Sequence, residues 1–161
     1  MTLADTLLEK LSKLSPDASV RRTLSFLDPA TSTSVRLEVD RLEALGCELW
    51  EVGVTRAPGE AHGLQSVGLA SWAHRIADRV SGLMEPLKIF EVDDLRGQAL
   101  LRSEQPAAKS DDLFYYEVLL QKTGAATLRR YHTTRQPAKR EQVRFVLTRE
   151  ALGKIVEDLA G

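Results

Sequence analysis

Only one cysteine, Cys47, occurs in the 161 residues, so no internal disulfide can staple the fold. A secreted disulfide framework is thereby excluded and a reducing compartment is expected. No charge of one sign dominates either: 22 Lys and Arg face 23 Asp and Glu, leaving a formal charge of -1. Without a global field toward nucleic acid or anionic membrane, any anion site must come from local clustering. Long apolar runs are missing, since nothing approaches the roughly 20 residues of a membrane span. The start, Met1-Thr2-Leu3-Ala4-Asp5 followed by Glu9, Lys10 and Lys13, has neither the basic region nor the apolar stretch of a signal peptide, so the cytoplasm is expected. Also absent are GxxxxGK[ST], GxGxxG, GxSxG, HExxH and CxxC, which leaves phosphate loops, the hydrolase elbow and local zinc motifs without support.

What is present is periodicity. Leu3, Leu7, Leu8, Leu11 and Leu14 form a helical stripe, with Thr2 and Asp5 spaced as a capping box and Ser15-Pro16 as the stop. Alternation then predicts strands over 19–27, over 35–40 and around Trp50, Val52 and Val54, joined by connections short enough for hairpins. The clearest loop is Ala57 to Gly63. A second helix follows, its apolar face made of Leu69, Ala73, Ile76, Ala77, Val80, Leu83 and Met84 and its end marked by Pro86. Extended segments are predicted at 87–92, 98–102, 113–121, 126–133 and 142–147, with a polar loop at 103–112 and a turn at Lys122-Thr123-Gly124-Ala125. Residues 113–121 are apolar on both faces and belong at the sheet centre. Thr148 caps a closing helix with the stripe Leu152, Ile155, Val156 and Leu159, in which Gly153 is a weak point.

These elements specify an α+β fold: an antiparallel, meander-like β-sheet of about seven or eight strands with helices packed on it, in the order α-βββ-α-βββββ-α. One domain over 1–161 is expected, laid out like two helix-plus-meander halves, 1–56 and 67–161, without a repeated motif to mark duplication. The expected core is Leu24, Phe26, Val35, Leu37, Trp50, Val52, Ile76, Val80, Phe90, Phe114, Tyr116, Val118, Phe145 and Leu147. In order of elements the chain resembles the type III secretion chaperones, small acidic cytoplasmic dimers. It departs from them in its extra second-half strands and near-neutral charge.

Several residue groups could carry chemistry. Ser71, His74 and Asp78 share one stripe of the middle helix, but regular helix offers no oxyanion hole, so a solvated face explains them. His62, His74, His132 and Cys47 are the only soft metal candidates, and none stands at ligand spacing to another. The acidic groups Glu91, Asp93, Asp94 and Asp111, Asp112 read as turn chemistry. The densest charge is basic: Arg129, Arg130, Arg135, Lys139, Arg140 and Arg144, opposed only by Glu141 and interleaved with Tyr131 and His132. Such a cluster can hold phosphates and stack on bases, or it can be a hairpin surface answering nearby carboxylates. No catalytic residue, metal ligand or cofactor is assigned.

The leading expectation is a non-enzymatic interaction, adaptor or chaperone-like protein that binds another chain, or its own copy, through a sheet face or edge. The alternatives are a small-ligand binder or hydrolase with a pocket of His62, Trp50 and Trp72 near the 57–66 loop, and polyanion or nucleic-acid binding through the arginine cluster. Nucleic acid is the less favoured partner, and no membrane partner is expected.

Overall fold

Thr2 Oγ1 accepts from the Asp5 amide at 3.1 Å while the Asp5 carboxylate accepts from the Thr2 amide at 2.9 Å, and this closed capping box starts α1 (Leu3–Ser12). The computed structural model describes residues 1–16, 20–57, 62–83, 85–136 and 139–161, the side chains of 62–67 apart. After α1 come β1 (Arg22–Asp28), β2 (Thr33–Leu42) and β3 (Gly46–Arg56), then α2 (His62–Arg79). The second run is β4 (Leu87–Asp93), β5 (Gln98–Ser103), β6 (Ala107–Lys109), β7 (Asp112–Gln121), β8 (Ala125–Thr134), β9 (Glu141–Val143) and β10 (Phe145–Thr148), closed by α3 (Arg149–Ala160). The α+β class and the element order are as the sequence predicts.

All strand pairs recorded are antiparallel, and the main path through the ten-stranded sheet is β1-β2-β3-β8-β7-β5-β4. Two meanders thus meet where Val52–Thr55 of β3 pair with β8. Beyond that point β3 and β8 separate, and the expected strand 142–147 enters the gap as two pieces broken at Arg144. Its first piece, β9, pairs with Arg130–His132 of β8, and its second, β10, pairs with Gly46–Leu49 of β3. The short β6 lies within the expected polar loop and pairs with the start of β7.

The helices pack on one face. α2 lies against β4, β5 and β7, α3 against β3 and β10, and α1 against α3 and β1. A side chain at Gly153 would place its Cβ 3.1 Å from Ala4 Cβ, so the glycine that weakens α3 locally is what lets α1 approach it. At the β7–β8 hairpin Gly124 takes φ 102°, the positive value expected of that turn. α2 begins earlier than expected, within the supposed loop, and is interrupted at Gly68, where φ is 79°. Of the expected loop, 58–61 lie outside the described residues, as does Met84. No helix among the described residues is long and apolar enough to cross a membrane.

Nine of the fourteen expected core residues are buried, and of the five that are not, Trp50 and Phe90 are turned out by β-bulges. Across β2 and β3 the register runs from Glu38↔Glu51 to Val39↔Leu49 and then to Arg41↔Glu48, so Trp50 is an extra residue on one strand and Asp40 on the other. Each insertion inverts the side-chain alternation: Val52 and Val54 point inward on one side of Trp50, Cys47 and Leu49 on the other. Trp50 is therefore only half-buried. On β4 the register jumps from Ile89↔Leu101 to Glu91↔Leu100, which turns Phe90 out to 55% exposure. Leu24, Phe26 and Phe114 are half-buried, the first two packed against the core.

Candidate functional site

The sheet face opposite the helices carries a ladder of arginines, aromatics and carboxylates. Arg21 lies 4.1 Å over the Trp50 ring and reaches Asp40 at 2.5 Å, and Arg144 reaches the same carboxylate at 2.7 Å. The two bulge residues thus meet through one arginine. Across the sheet, Arg129 pairs with Glu51 at 2.6 Å. Arg140 lies 3.9 Å over Tyr131 and donates to Glu117 at 2.5 Å, and Arg102 donates to the same oxygen at 3.0 Å while lying 4.2 Å over Phe90. Burial opposes the charge on Arg140, but its bonds to Tyr115 and Glu117 outweigh that and hold its guanidinium above the usual arginine range. Arg129 is raised in the same way, burial being overcome by Tyr131 and Glu51.

Alternation sends Arg130 to the helix side, where it pairs with Tyr116 in register and reaches Glu85 at 3.2 Å. Glu85 also accepts from Ser103 Oγ at 2.8 Å, and that hydroxyl oxygen accepts from the Tyr116 amide at 2.8 Å beyond the end of the β5–β7 ladder. His132 sits on the same side between Asp112 at 2.8 Å and Glu141 at 2.9 Å. The Asp112 bond raises the imidazole pKa, partial burial opposes this, and Glu141 adds to the rise. Arg135 donates to the Ser110 carbonyl at 3.3 Å, and Lys139 is exposed.

The expected basic cluster is therefore divided between two faces and a loop, and Arg129, Arg130, Arg140 and Arg144 each meet a carboxylate. The pocket residues do not converge either. Trp72 is fully buried on the helix side, Trp50 is half-buried on the other face, and the His62 side chain lies outside the described residues. His74 and Asp78 are exposed on the surface of α2. Cys47 is buried, and burial pushes its thiol pKa up against the opposing field of Arg149, which makes it an unreactive thiol. Among the described residues, no three His, Cys, Asp or Glu side chains come together as a metal site.

Two concavities frame these features. A groove of about 240 Å³ on the ladder face is lined by Leu100, Glu117, Leu119, Arg129, Tyr131 and Arg140, among others. An end groove of about 470 Å³ runs between α1, α3 and the β1–β2 turn, with Leu3, Thr31, Thr33, Arg56 and Glu157 on its walls. In the first, Glu117 already accepts from Arg140 and Arg102 and Arg129 already pairs with Glu51, and in the second Glu157 already accepts from the Ala4 amide at 3.0 Å.

The sheet edges differ from each other. Among the described residues β4 pairs only with β5; it is bulged at Phe90 and carries Lys88 and Glu91, the devices by which edges discourage pairing. Among the described residues β1 pairs only with β2, in unbroken register from Arg22↔Val39 to Asp28↔Thr33. It has no bulge, proline or lysine over its seven residues. Beside it stand two exposed apolar side chains, Val20 at 68% and Leu27 at 62%. Leu27 is the one apolar residue on the otherwise polar side of this strand, a signal the sequence offered and strand periodicity alone passes over. Compared with models of protein families, with curated proteins and with solved structures, the chain matches none.

Proposed function

We propose that the chain is a non-catalytic interaction module of the cytoplasm that takes an extended segment of another polypeptide along β1 as an added strand. The observation that carries this reading is the contrast between the edges, β4 being bulged at Phe90 while β1 keeps an unbroken register with β2 and carries exposed Val20 and Leu27 beside it. An unpaired row of backbone N–H and C=O groups is a template for a further strand, and pockets for alternate side chains then set specificity. The ladder face is the weaker candidate for docking, because its charges are paired within the chain.

The test is a displayed library of peptides of about ten residues, with hydrogen exchange read on the complexes. Strand addition slows exchange at every second amide of β1, those facing away from β2, and leaves β4 unchanged. Protection confined to the ladder face or to α2, or no binder together with fast exchange along β1 in the free chain, refutes the reading.

A further inference from the structure

The sequence of β1, Arg22-Thr23-Leu24-Ser25-Phe26-Leu27-Asp28, is complementary to itself when reversed. Laid antiparallel against a second copy with Ser25 on the two-fold axis, Arg22 opposes Asp28, Thr23 opposes Leu27 and Leu24 opposes Phe26. Residues of like parity face each other in this register, so the helix-covered faces of both copies stay on one side of the joined sheet. Registers centred on Leu24 or Phe26 also preserve parity, but they leave Arg22 opposite an apolar residue or beyond the strand end, and Asp28 likewise loses its partner.

Side-chain bonding agrees with this register. The Arg22 Nη1 donates to the Ser15 carbonyl, but Nε and Nη2 are buried with no acceptor among the described residues. Both atoms are covered by the chain itself, so Arg22 meets a second copy only by turning its guanidinium outward, a move that exchanges two unmet donors for a carboxylate. Asp28 is buried at the other end of the strand, and one of its oxygens, Oδ2, accepts from Thr31 Oγ1 at 2.6 Å. Its other oxygen is the acceptor that Arg22 of a second copy would meet. We infer that β1 is occupied by β1 of a second copy of this chain, joining two sheets edge to edge about Ser25 through reciprocal Arg22–Asp28 pairs. This rests on the reading of β1 as a binding edge and names its occupant.

Light scattering on the full chain, with charge-reversal variants, tests it. The wild-type chain should have the mass of two copies. Arg22→Asp and Asp28→Arg place like charges opposite each other twice and should each raise the dimer Kd by roughly a hundredfold. Mixed in equal amounts, the two variants should recover the two-copy mass, because each then supplies the charge the other lacks. Asp28→Arg also removes the Thr31 contact, so Ser25→Cys gives an independent measure. Directly opposed residues have Cα atoms about 4.5–5.5 Å apart, within disulfide reach, and mild oxidation should cross-link the exposed position 25 while buried Cys47 stays reduced.

A single-copy mass at every concentration overturns the inference. So does a dimer that neither cross-links at position 25 nor responds to charge reversal. In both cases the peptide experiment still decides separately whether β1 receives another chain.

Discussion

Replacing Glu117 by alanine removes the carboxylate that Arg102 reaches at 3.0 Å and Arg140 at 2.5 Å, the joint at which the ladder face is tied together. The cost depends on how far each arginine can recover in water. Glu117 is 8% exposed, Arg102 29% and Arg140 41%. A hydrogen bond to a charged group contributes about 1.5–3 kcal/mol when its partner is left behind in a buried setting, and Arg102 belongs near the lower end of that range. Arg140 re-solvates more readily, so its share falls to roughly 0.5 kcal/mol. The sum is about 2 kcal/mol, which at about 2–4 °C per kcal/mol for a chain of this size lowers Tm by about 4–8 °C. Urea unfolding of wild type, Glu117→Ala, Arg102→Ala and the double variant measures this directly, with an expected coupling of about 1 kcal/mol. A loss below about 0.5 kcal/mol, or no coupling, refutes the reasoning and makes the ladder a set of independent surface contacts. The same variant bears on polyanion binding, since it leaves Arg102 and Arg140 without their carboxylate and should increase salt-sensitive retention on a polyanion matrix. Strong retention of the wild-type chain would contradict the view that its arginines are neutralised internally.

The two tryptophans give opposite readouts. Trp72→Ala, in the core, should cost about 3–5 kcal/mol, whereas Trp50→Ala should cost about 1 kcal/mol, mostly the Arg21 contact; a Trp50→Phe chain should also emit further to the blue than a Trp72→Phe chain. Thr148→Ala removes the acceptor for the Ala151 amide, 3.0 Å away, and should cost about 1 kcal/mol in urea unfolding. Proton NMR of His132 should give a midpoint above 6.5, its pKa being raised by Asp112 against partial burial with Glu141 assisting. A group raised on folding stabilises fully below its unfolded pKa, so stability from His132 is present at pH below about 6.5 and is lost as pH rises through the folded value. His132→Gln should flatten that slope, and an unchanged slope would place its origin elsewhere.

The misplaced Trp50 and Phe90 show where strand periodicity fails. Alternation over Trp50, Val52 and Val54 predicts one continuous strand face, but the bulge turns Trp50 to the face opposite Val52 and Val54. The inward Cys47 and Leu49 have the opposite parity, and only the bulge reconciles the two sets. An insertion of one residue is set by the partner strand and by groups such as Asp40 and Arg21, so it is weakly written in the strand that bulges. The same holds at Phe90, whose neighbours Leu87 and Ile89 point inward. Helix caps were legible because Thr2, Asp5 and Thr148 act on amides three residues away. Interactions that local were available to a reader of the sequence in a way that sheet register was not.

The arginine cluster shows the complementary failure. Six basic residues close in sequence suggested a common surface, but alternation on β8 parts Arg129 from Arg130, and the break at Arg144 lets that residue reach Asp40 a hundred positions earlier. Charge counted along a chain overstates charge gathered in space whenever the partners come from distant strands, as Glu51, Glu85 and Glu117 do here. An edge is harder still to read, because it is defined by the strand that is missing beside it. β1 looks like any half-buried strand until the sheet order puts it last. Only then does the opposition of Arg22 and Asp28 about Ser25 gain meaning, as a charge pattern that a single copy of the strand does not satisfy and two antiparallel copies would.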